Sequence, residues 1–262
     1  MDLGPRHGGA EALITRRSAS GLRLRAGRLI TALVLSGLAA CSATPLAVRS
    51  WPAADLDDVG EPFSADFLAA NQDFEDGTFL VGDAVQAFFE KTPYGPPSFL
   101  ASYTEKGRRA SDLVAAAASR HRVSALWLLA RLERDGVLVA ARRYPTEAKD
   151  VEYVFGYGCS GRLLCDPTFG GLGVQVDALA GELRRTLDDL RRAGVTANGF
   201  AVGSSRRTLD AVLVTPATEA TAALYGVEPL AGGAGGGQEL TWRIFRHYAA
   251  FVGYSPLGPD QP

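Results

Sequence analysis

The sequence has little of three features that often reveal what a protein binds. It has only three cysteines, an odd number, so not every cysteine can pair within the chain. Its formal net charge is −2, whereas a surface that follows nucleic-acid phosphates carries a basic excess. Its most apolar stretch, residues 29–40, is shorter than the about 20 residues that a permanent membrane span needs. We therefore expect no nucleic-acid partner.

The composition itself is that of a folded globular protein. The chain has 262 residues, of which 47% are hydrophobic and 21% are charged. These values exclude wholesale disorder and collagen-like architecture, and the length allows one or two domains.

The N-terminus has the order of parts found in an export signal. Residues 1–28 carry six arginines and two acidic residues, and the apolar residues 29–40 follow them. That run ends in Leu38-Ala39-Ala40-Cys41, which resembles the lipobox of bacterial lipoproteins. The resemblance implies removal of residues 1–40 and lipidation of Cys41. The alternatives are an ordinary signal peptide followed by a chance cysteine, and an uncleaved anchor.

The mature chain would be acidic. Residues 1–40 hold six of the 27 basic and two of the 29 acidic residues, which leaves 21 and 27 and a net charge of −6. Membrane attachment would then depend on acyl chains rather than on a basic patch. Ser42, which follows the cysteine, is not an aspartate retention signal, so the resemblance implies the periplasmic face of the outer membrane.

The two remaining cysteines, Cys159 and Cys165, lie in the segment GCSGRLLCDP. In an exported compartment a disulfide between them is favoured over a pair of zinc ligands. The histidines do not cluster with these cysteines in the sequence, and His7 leaves with the signal. We expect a disulfide, no metal and no other cofactor.

The mature sequence predicts one mainly helical domain with a small β-hairpin. Proline-containing residues 41–76 are typical of a flexible tether, residues 77–254 of the folded domain and residues 255–262 of a tail. A hairpin is expected to pair residues 200–203 with 211–214. Apolar spacing, caps and glycines predict helices near residues 85–89, 108–121, 125–136, 146–154, 172–193, 215–226 and 239–253.

Glu133 and Asp135 are the carboxylates of greatest chemical interest. They end a helix that is apolar nearly all round in its first half. The helix dipole and the apolar surroundings would both raise the pKa of a carboxyl there, as a general acid requires. The alternative is a solvated helix end whose acids pair with Arg131 or Arg134.

Three segments of the domain resemble exported bacterial proteins that contain a lysozyme-like, lytic-transglycosylase-type domain. The segments are WLLARLERDGVLV (127–139), FGYGCSGRLLCDPTFGGLGVQVDALAGELR (155–184) and VTPATEATAALYG (214–226). The matching positions read Leu132-x-x-Asp135-x-x-Leu138, Gly171-Leu172-x-x-Gln175 and Ala220-Thr221-Ala222-Ala223-Leu224-Tyr225. The resemblance implies an α+β lysozyme-like fold.

The resemblance also implies an activity, namely cleavage of the β-1,4 bond between N-acetylmuramic acid and N-acetylglucosamine in peptidoglycan glycan strands. One carboxyl would protonate the leaving oxygen, without metal or nucleotide. The family's catalytic glutamate falls on Asp135, whereas Glu133 lies two residues earlier. Three readings remain open: Asp135 acts, a local irregularity brings Glu133 into the cleft, or the domain binds glycan or a partner without cleaving.

Further binding residues have alternatives of their own. Gln175 is expected to bond the sugar acetamido group or to cap buried backbone. Tyr157 and Tyr225 are expected to stack on sugar or orient the acid, or else to be core aromatics. Arg142 and Arg143 are either contacts for substrate carboxylates or a solvated pair.

Overall fold

A computed structural model describes residues 56, 60–161, 164–232 and 236–259. The predicted signal peptide and the predicted lipidation site, Cys41, lie outside these residues. No helix in the described ranges is long and apolar enough to cross a membrane. The helices are α1 (Asn71–Glu75), α2 (Gly82–Glu90), α3 (Ala110–His121), α4 (Ala125–Gly136), α5 (Lys149–Glu152), α6 (Leu172–Ala193), α7 (Glu219–Val227) and α8 (Gly237–Phe251). The strands are β1 (Thr104–Glu105), β2 (Arg108–Arg109), β3 (Cys159–Ser160), β4 (Leu164–Cys165), β5 (Arg206–Arg207) and β6 (Leu213–Val214).

The mainly helical fold class is confirmed. Helix α4 is the central element, because its side chains are buried along nearly its whole length and it packs on α8 and α6. Helix α6, the longest, packs on α3 and α7 with the leucine and valine stripe that the sequence predicts. The buried residues of that stripe are Leu172, Val176, Leu179, Leu183, Leu187 and Leu190.

The β structure is more extensive than one hairpin. Within the described residues three antiparallel two-stranded sheets form, β1 with β2, β3 with β4 and β5 with β6. The predicted first strand of the last hairpin, residues 200–203, is wrong, because β5 lies at Arg206–Arg207. Phe200 instead stacks on the Tyr225 ring, with centroids 5.4 Å apart, so its segment belongs to the core rather than to the hairpin.

The folded domain begins before the predicted boundary at residue 77. Leu68 and Phe74 are buried, the Leu68 amide donates to Thr221 Oγ1 at 3.0 Å, and the Ser124 amide donates to the Phe74 carbonyl at 2.8 Å. Residues 60–76 are therefore part of the domain and not of a tether. The expected tail is also attached, since the Leu257 amide donates to Asp73 Oδ2 at 2.8 Å.

The predicted disulfide is confirmed. Cys159 and Cys165 lie opposite each other in the β3–β4 pair, with Cα atoms 4.0 Å apart and the sulfurs bonded. The bond closes a short loop between α5 and α6.

We expect the double substitution Cys159→Ser, Cys165→Ser to lower the free energy of unfolding by about 2 kcal/mol, because the reduced chain regains loop entropy when it unfolds. Urea denaturation with and without dithiothreitol measures this. The reductant should shift wild type to the variant's midpoint and leave the variant unchanged. Two free thiols at Cys159 and Cys165 in the non-reduced protein would contradict the prediction.

Candidate functional site

The two carboxylates at the end of α4 point in different directions. Glu133 is fully buried, whereas the Asp135 side chain is 18% exposed. Residues two positions apart are separated by about 200° around a helix, which accounts for the difference. The two acids therefore lie in separate environments and cannot act on one substrate atom together.

Glu133 holds the backbone that leaves α4. Its Oε2 accepts hydrogen bonds from the amides of Val139 at 2.8 Å and Ala140 at 2.9 Å. The chain returns toward this carboxyl because Val137 adopts a left-handed conformation with φ of 54°, which is rare for a β-branched residue. A strained turn thus brings two amides to one buried carboxyl oxygen.

Burial raises the pKa of Glu133 to about 7, and the amides of Ala140 and Val139 and the hydroxyl of Tyr94 act against this rise. The Tyr94 hydroxyl is also 3.2 Å from that of Tyr248, a fully buried residue of α8. Burial and the proximity of Glu133 raise the pKa of Tyr248. The pKa of about 7 of Glu133 suits a general acid. However, Glu133 is fully buried, so a glycosidic oxygen can come within hydrogen-bond reach of its carboxyl only if residues 137–140 move.

Asp135 is held by guanidinium groups on both sides. Arg131 Nε donates to Oδ2 at 2.9 Å, and Arg134 Nε donates to Oδ1 at 2.7 Å. Glu228, after α7, pairs with Arg134 and lies 3.7 Å from Arg131. Both pairings that the sequence left as alternatives are present. Each carboxyl oxygen of Asp135 already accepts a hydrogen bond from an arginine, which favours the ionised carboxylate over a proton donor, and each oxygen keeps a second acceptor position.

Gln175 anchors the loop that carries the disulfide. Its Oε1 accepts from the amides of Phe155 and Tyr157, each at 3.2 Å. Its Nε2 donates to the carbonyls of Tyr157 at 2.9 Å and Phe169 at 2.8 Å. Since a primary amide has two donors and two acceptor positions, these bonds use the whole side chain. This geometry is that of the second alternative, a buried cap of backbone groups, and the contact with a sugar acetamido group stays a prediction.

The two predicted tyrosines have different surroundings. Tyr157 is half-buried, and its hydroxyl donates to the Glu182 carboxylate on α6. Burial and Glu182 raise the pKa of Tyr157, and Arg131 acts against this rise. Tyr225 is fully buried in α7, so no sugar can stack on its ring. The structure thus brings Tyr157 and Asp135 to a shared neighbour, Arg131, and leaves Tyr225 in the core.

The resulting cluster combines charged groups of both signs, and its carboxylates at 135 and 228 are partly exposed. We call it the Asp135 patch and define it by Arg131, Arg134, Asp135, Tyr157, Glu182 and Glu228. Sequence reasoning missed the two glutamates, because they come from α6 and the end of α7 and have no local relation to α4. The i,i+4 spacing of Arg131 and Asp135 was the one available signal.

No protein-family model matches the chain, and no curated protein and no solved structure gives a significant match. The resemblance to lysozyme-like domains therefore rests on the three segments quoted above. The part of the chain that the structure describes holds no group of three or more histidines, cysteines or acidic residues arranged to bind a metal ion.

Proposed function

We propose that the mature chain is a lipid-anchored protein of the cell envelope that binds peptidoglycan glycan strands at the Asp135 patch without cleaving them. One observation carries the choice of binding over cleavage. Asp135 occupies the position that matches the catalytic carboxylate of the resembling family, yet both its oxygens accept hydrogen bonds from arginines. A general acid must instead reach the leaving oxygen.

The patch offers polar groups that suit a glycan. Asp135 and Glu228 side chains are 18% and 20% exposed, so they can accept hydrogen bonds from sugar hydroxyls while their arginine partners keep them in place. Phe155 lies beneath the Arg131 guanidinium at 5.8 Å and limits its movement. Lipidation of Cys41 would keep this surface at the membrane that faces the glycan layer.

Cleavage by Glu133 is the second candidate, and the pKa of about 7 of that carboxyl favours it. If residues 137–140 opened, Glu133 would protonate the leaving oxygen. The substrate's acetamido and 6-hydroxyl groups would complete the displacement and give a 1,6-anhydro product.

We expect the mature protein to sediment with purified sacculi and to release no muropeptides over a range of pH. Asp135→Asn should reduce co-sedimentation several-fold, because Arg131 and Arg134 lose a charged partner and the patch rearranges. Asp188→Asn is the matched control, since Arg184 and Asp188 form the same i,i+4 pair on α6. Co-sedimentation is measured from bound and free protein, and release by mass analysis.

Each other outcome has a definite meaning for the two candidates. Release of 1,6-anhydro muropeptides that Glu133→Gln abolishes would replace binding by cleavage. A wild-type protein that neither sediments with sacculi nor digests them would refute both. Equal losses in Asp135→Asn and Asp188→Asn would refute the Asp135 patch as the binding surface.

A further inference from the structure

A second surface of the domain has the chemistry of a ligand site. An open groove of about 790 Å³ lies between the segment around Phe99 and Tyr103 and the segment of Arg142, Arg143 and Tyr144. None of the residues of the Asp135 patch lines it. The groove is therefore a separate feature of the fold.

Three aromatic rings line the groove, Phe99 and Tyr103 from one segment and Tyr144 from the other. The rings of Tyr103 and Tyr144 are nearly parallel, with an interplanar angle of 16° and centroids 6.0 Å apart. Phe99 meets both edge-on, at centroid distances of 6.1 Å from Tyr103 and 5.7 Å from Tyr144. Tyr144 is 46% exposed, so part of this aromatic surface remains open to a flat ligand.

The two charged residues that line the groove within the described part of the chain are both arginines. They are Arg142 and Arg143, and both are exposed. Neither guanidinium makes a hydrogen bond or ion pair with any described residue. The Tyr103 hydroxyl donates to Glu105 Oε2 at 3.4 Å, and Glu152 also lies near the tyrosines, but neither acid lines the groove, so the arginines are the charged groups that a ligand meets there. The planar donors of two adjacent guanidiniums that pair with no described acid match a carboxylate.

The two walls are fixed to each other by buried hydrogen bonds. Ser98 Oγ donates to the Leu138 carbonyl at 2.9 Å, and the Phe99 amide donates to the Ala141 carbonyl at 2.7 Å. Glu133 holds the intervening amides of residues 139 and 140. The backbone that displays Arg142 and Tyr144 is therefore preorganised, which lowers the entropy lost when a ligand binds.

We propose that this groove binds an acidic saccharide, a sugar whose ring carries a free carboxylate. The tyrosine faces receive the apolar face of the ring, and the Arg142–Arg143 pair receives the carboxylate. The proposal does not depend on peptidoglycan binding, because the two surfaces share no residue.

The test is calorimetric titration of the mature protein with tetragalacturonic acid, a saccharide with one carboxylate on each ring. We expect saturable binding that weakens as salt is added. Arg142→Gln with Arg143→Gln should raise Kd at least about tenfold, because charge-assisted hydrogen bonds are lost. Tyr144→Ala should raise Kd roughly fivefold through loss of the ring contact. Arg206→Gln with Arg207→Gln is the matched control, an exposed adjacent pair on β5 that should leave Kd unchanged.

Comparison ligands distinguish the possible sources of binding. Chitotetraose, which is neutral, should not compete with tetragalacturonic acid, and tetraglutamate should bind more weakly. Equal binding of chitotetraose would show that charge is not recognised, and equal or tighter binding of tetraglutamate would show an acidic-peptide site. Either result would overturn the proposal. The proposal would also be overturned if the Arg206, Arg207 control raised Kd as much as the Arg142, Arg143 variant, or if tetragalacturonic acid showed no saturable binding. The Arg142→Gln, Arg143→Gln variant should sediment with sacculi as wild type does. A failure of the groove proposal can therefore be distinguished from a failure of the proposed function.

Discussion

Glu133→Gln is expected to make the protein more stable than wild type at pH 8 by about 3 kcal/mol and to leave its stability unchanged near pH 4.5. The pKa of Glu133 is about 7 in the folded protein, against an ordinary value of 4.5. Because the folded-state pKa is raised, the contribution of this carboxyl is fully present below pH 4.5 and is lost as pH rises through about 7. A shift of this size corresponds to about 3 kcal/mol at 1.36 kcal/mol per pH unit. Glutamine keeps an oxygen for the amides of Val139 and Ala140 but carries no charge.

Urea denaturation of both proteins at intervals from pH 4.5 to 8.5 measures the effect. Other groups, including Asp73, whose pKa is also raised by burial, titrate in both proteins and cancel in the difference. Glu75→Gln is the control with the opposite sign, because Arg191 and Arg184 lower the pKa of Glu75. That variant should be less stable than wild type at pH 8. Parallel curves for wild type and Glu133→Gln would show that Glu133 titrates normally.

A second substitution at the same site separates charge from hydrogen bonding. Glu133→Ala also removes the charge but, in addition, removes the acceptor of two amides, so its free energy of unfolding should be about 2 to 4 kcal/mol lower than that of Glu133→Gln at the same pH. Faster hydrogen exchange at the amides of Val139 and Ala140 in Glu133→Ala, but not in Glu133→Gln, would establish Glu133 as the residue that positions this segment. A stable Glu133→Gln variant that loses muropeptide release would instead make it the acid.

The sequence predicts the helices well where the information is local. The apolar stripes of α4 and α6 follow the helical period, and the actual bounds of both helices agree with the prediction. The disulfide is equally local, since Cys159 and Cys165 lie six residues apart. These features depend on neighbours within a few turns of the chain.

The missed features depend on contacts between distant residues. Residues 60–76 have little periodicity, and they are ordered by partners such as Thr221, which lies 153 residues from Leu68. The environment of Glu133 depends on the left-handed Val137, a conformation that a β-branched residue disfavours and that no sequence pattern indicates. Helix geometry predicts that Glu133 and Asp135 point in different directions. It does not predict which groups contact them, namely two backbone amides at Glu133 and two arginines at Asp135.

Gln175→Ala should lower the free energy of unfolding by about 4 kcal/mol, because it leaves four backbone groups of the disulfide loop without their partner. Hydrogen exchange should accelerate most at the amides of Phe155 and Tyr157. Gln238→Ala is the matched control, a buried glutamine that donates to only two carbonyls, those of Leu224 and Glu228, and its cost should be about half as large.

The same variant tests whether Gln175 binds sugar or holds the loop. If it holds the loop, loss of stability and faster exchange accompany any loss of sacculus binding, because the Tyr157 side of the Asp135 patch loosens with the loop. A variant with wild-type stability and exchange that has lost sacculus binding would contradict this view and make Gln175 a ligand contact. The disulfide cannot replace the anchor, because it joins Cys159 to Cys165 within the loop, whereas Gln175 bonds four backbone groups of the loop to α6.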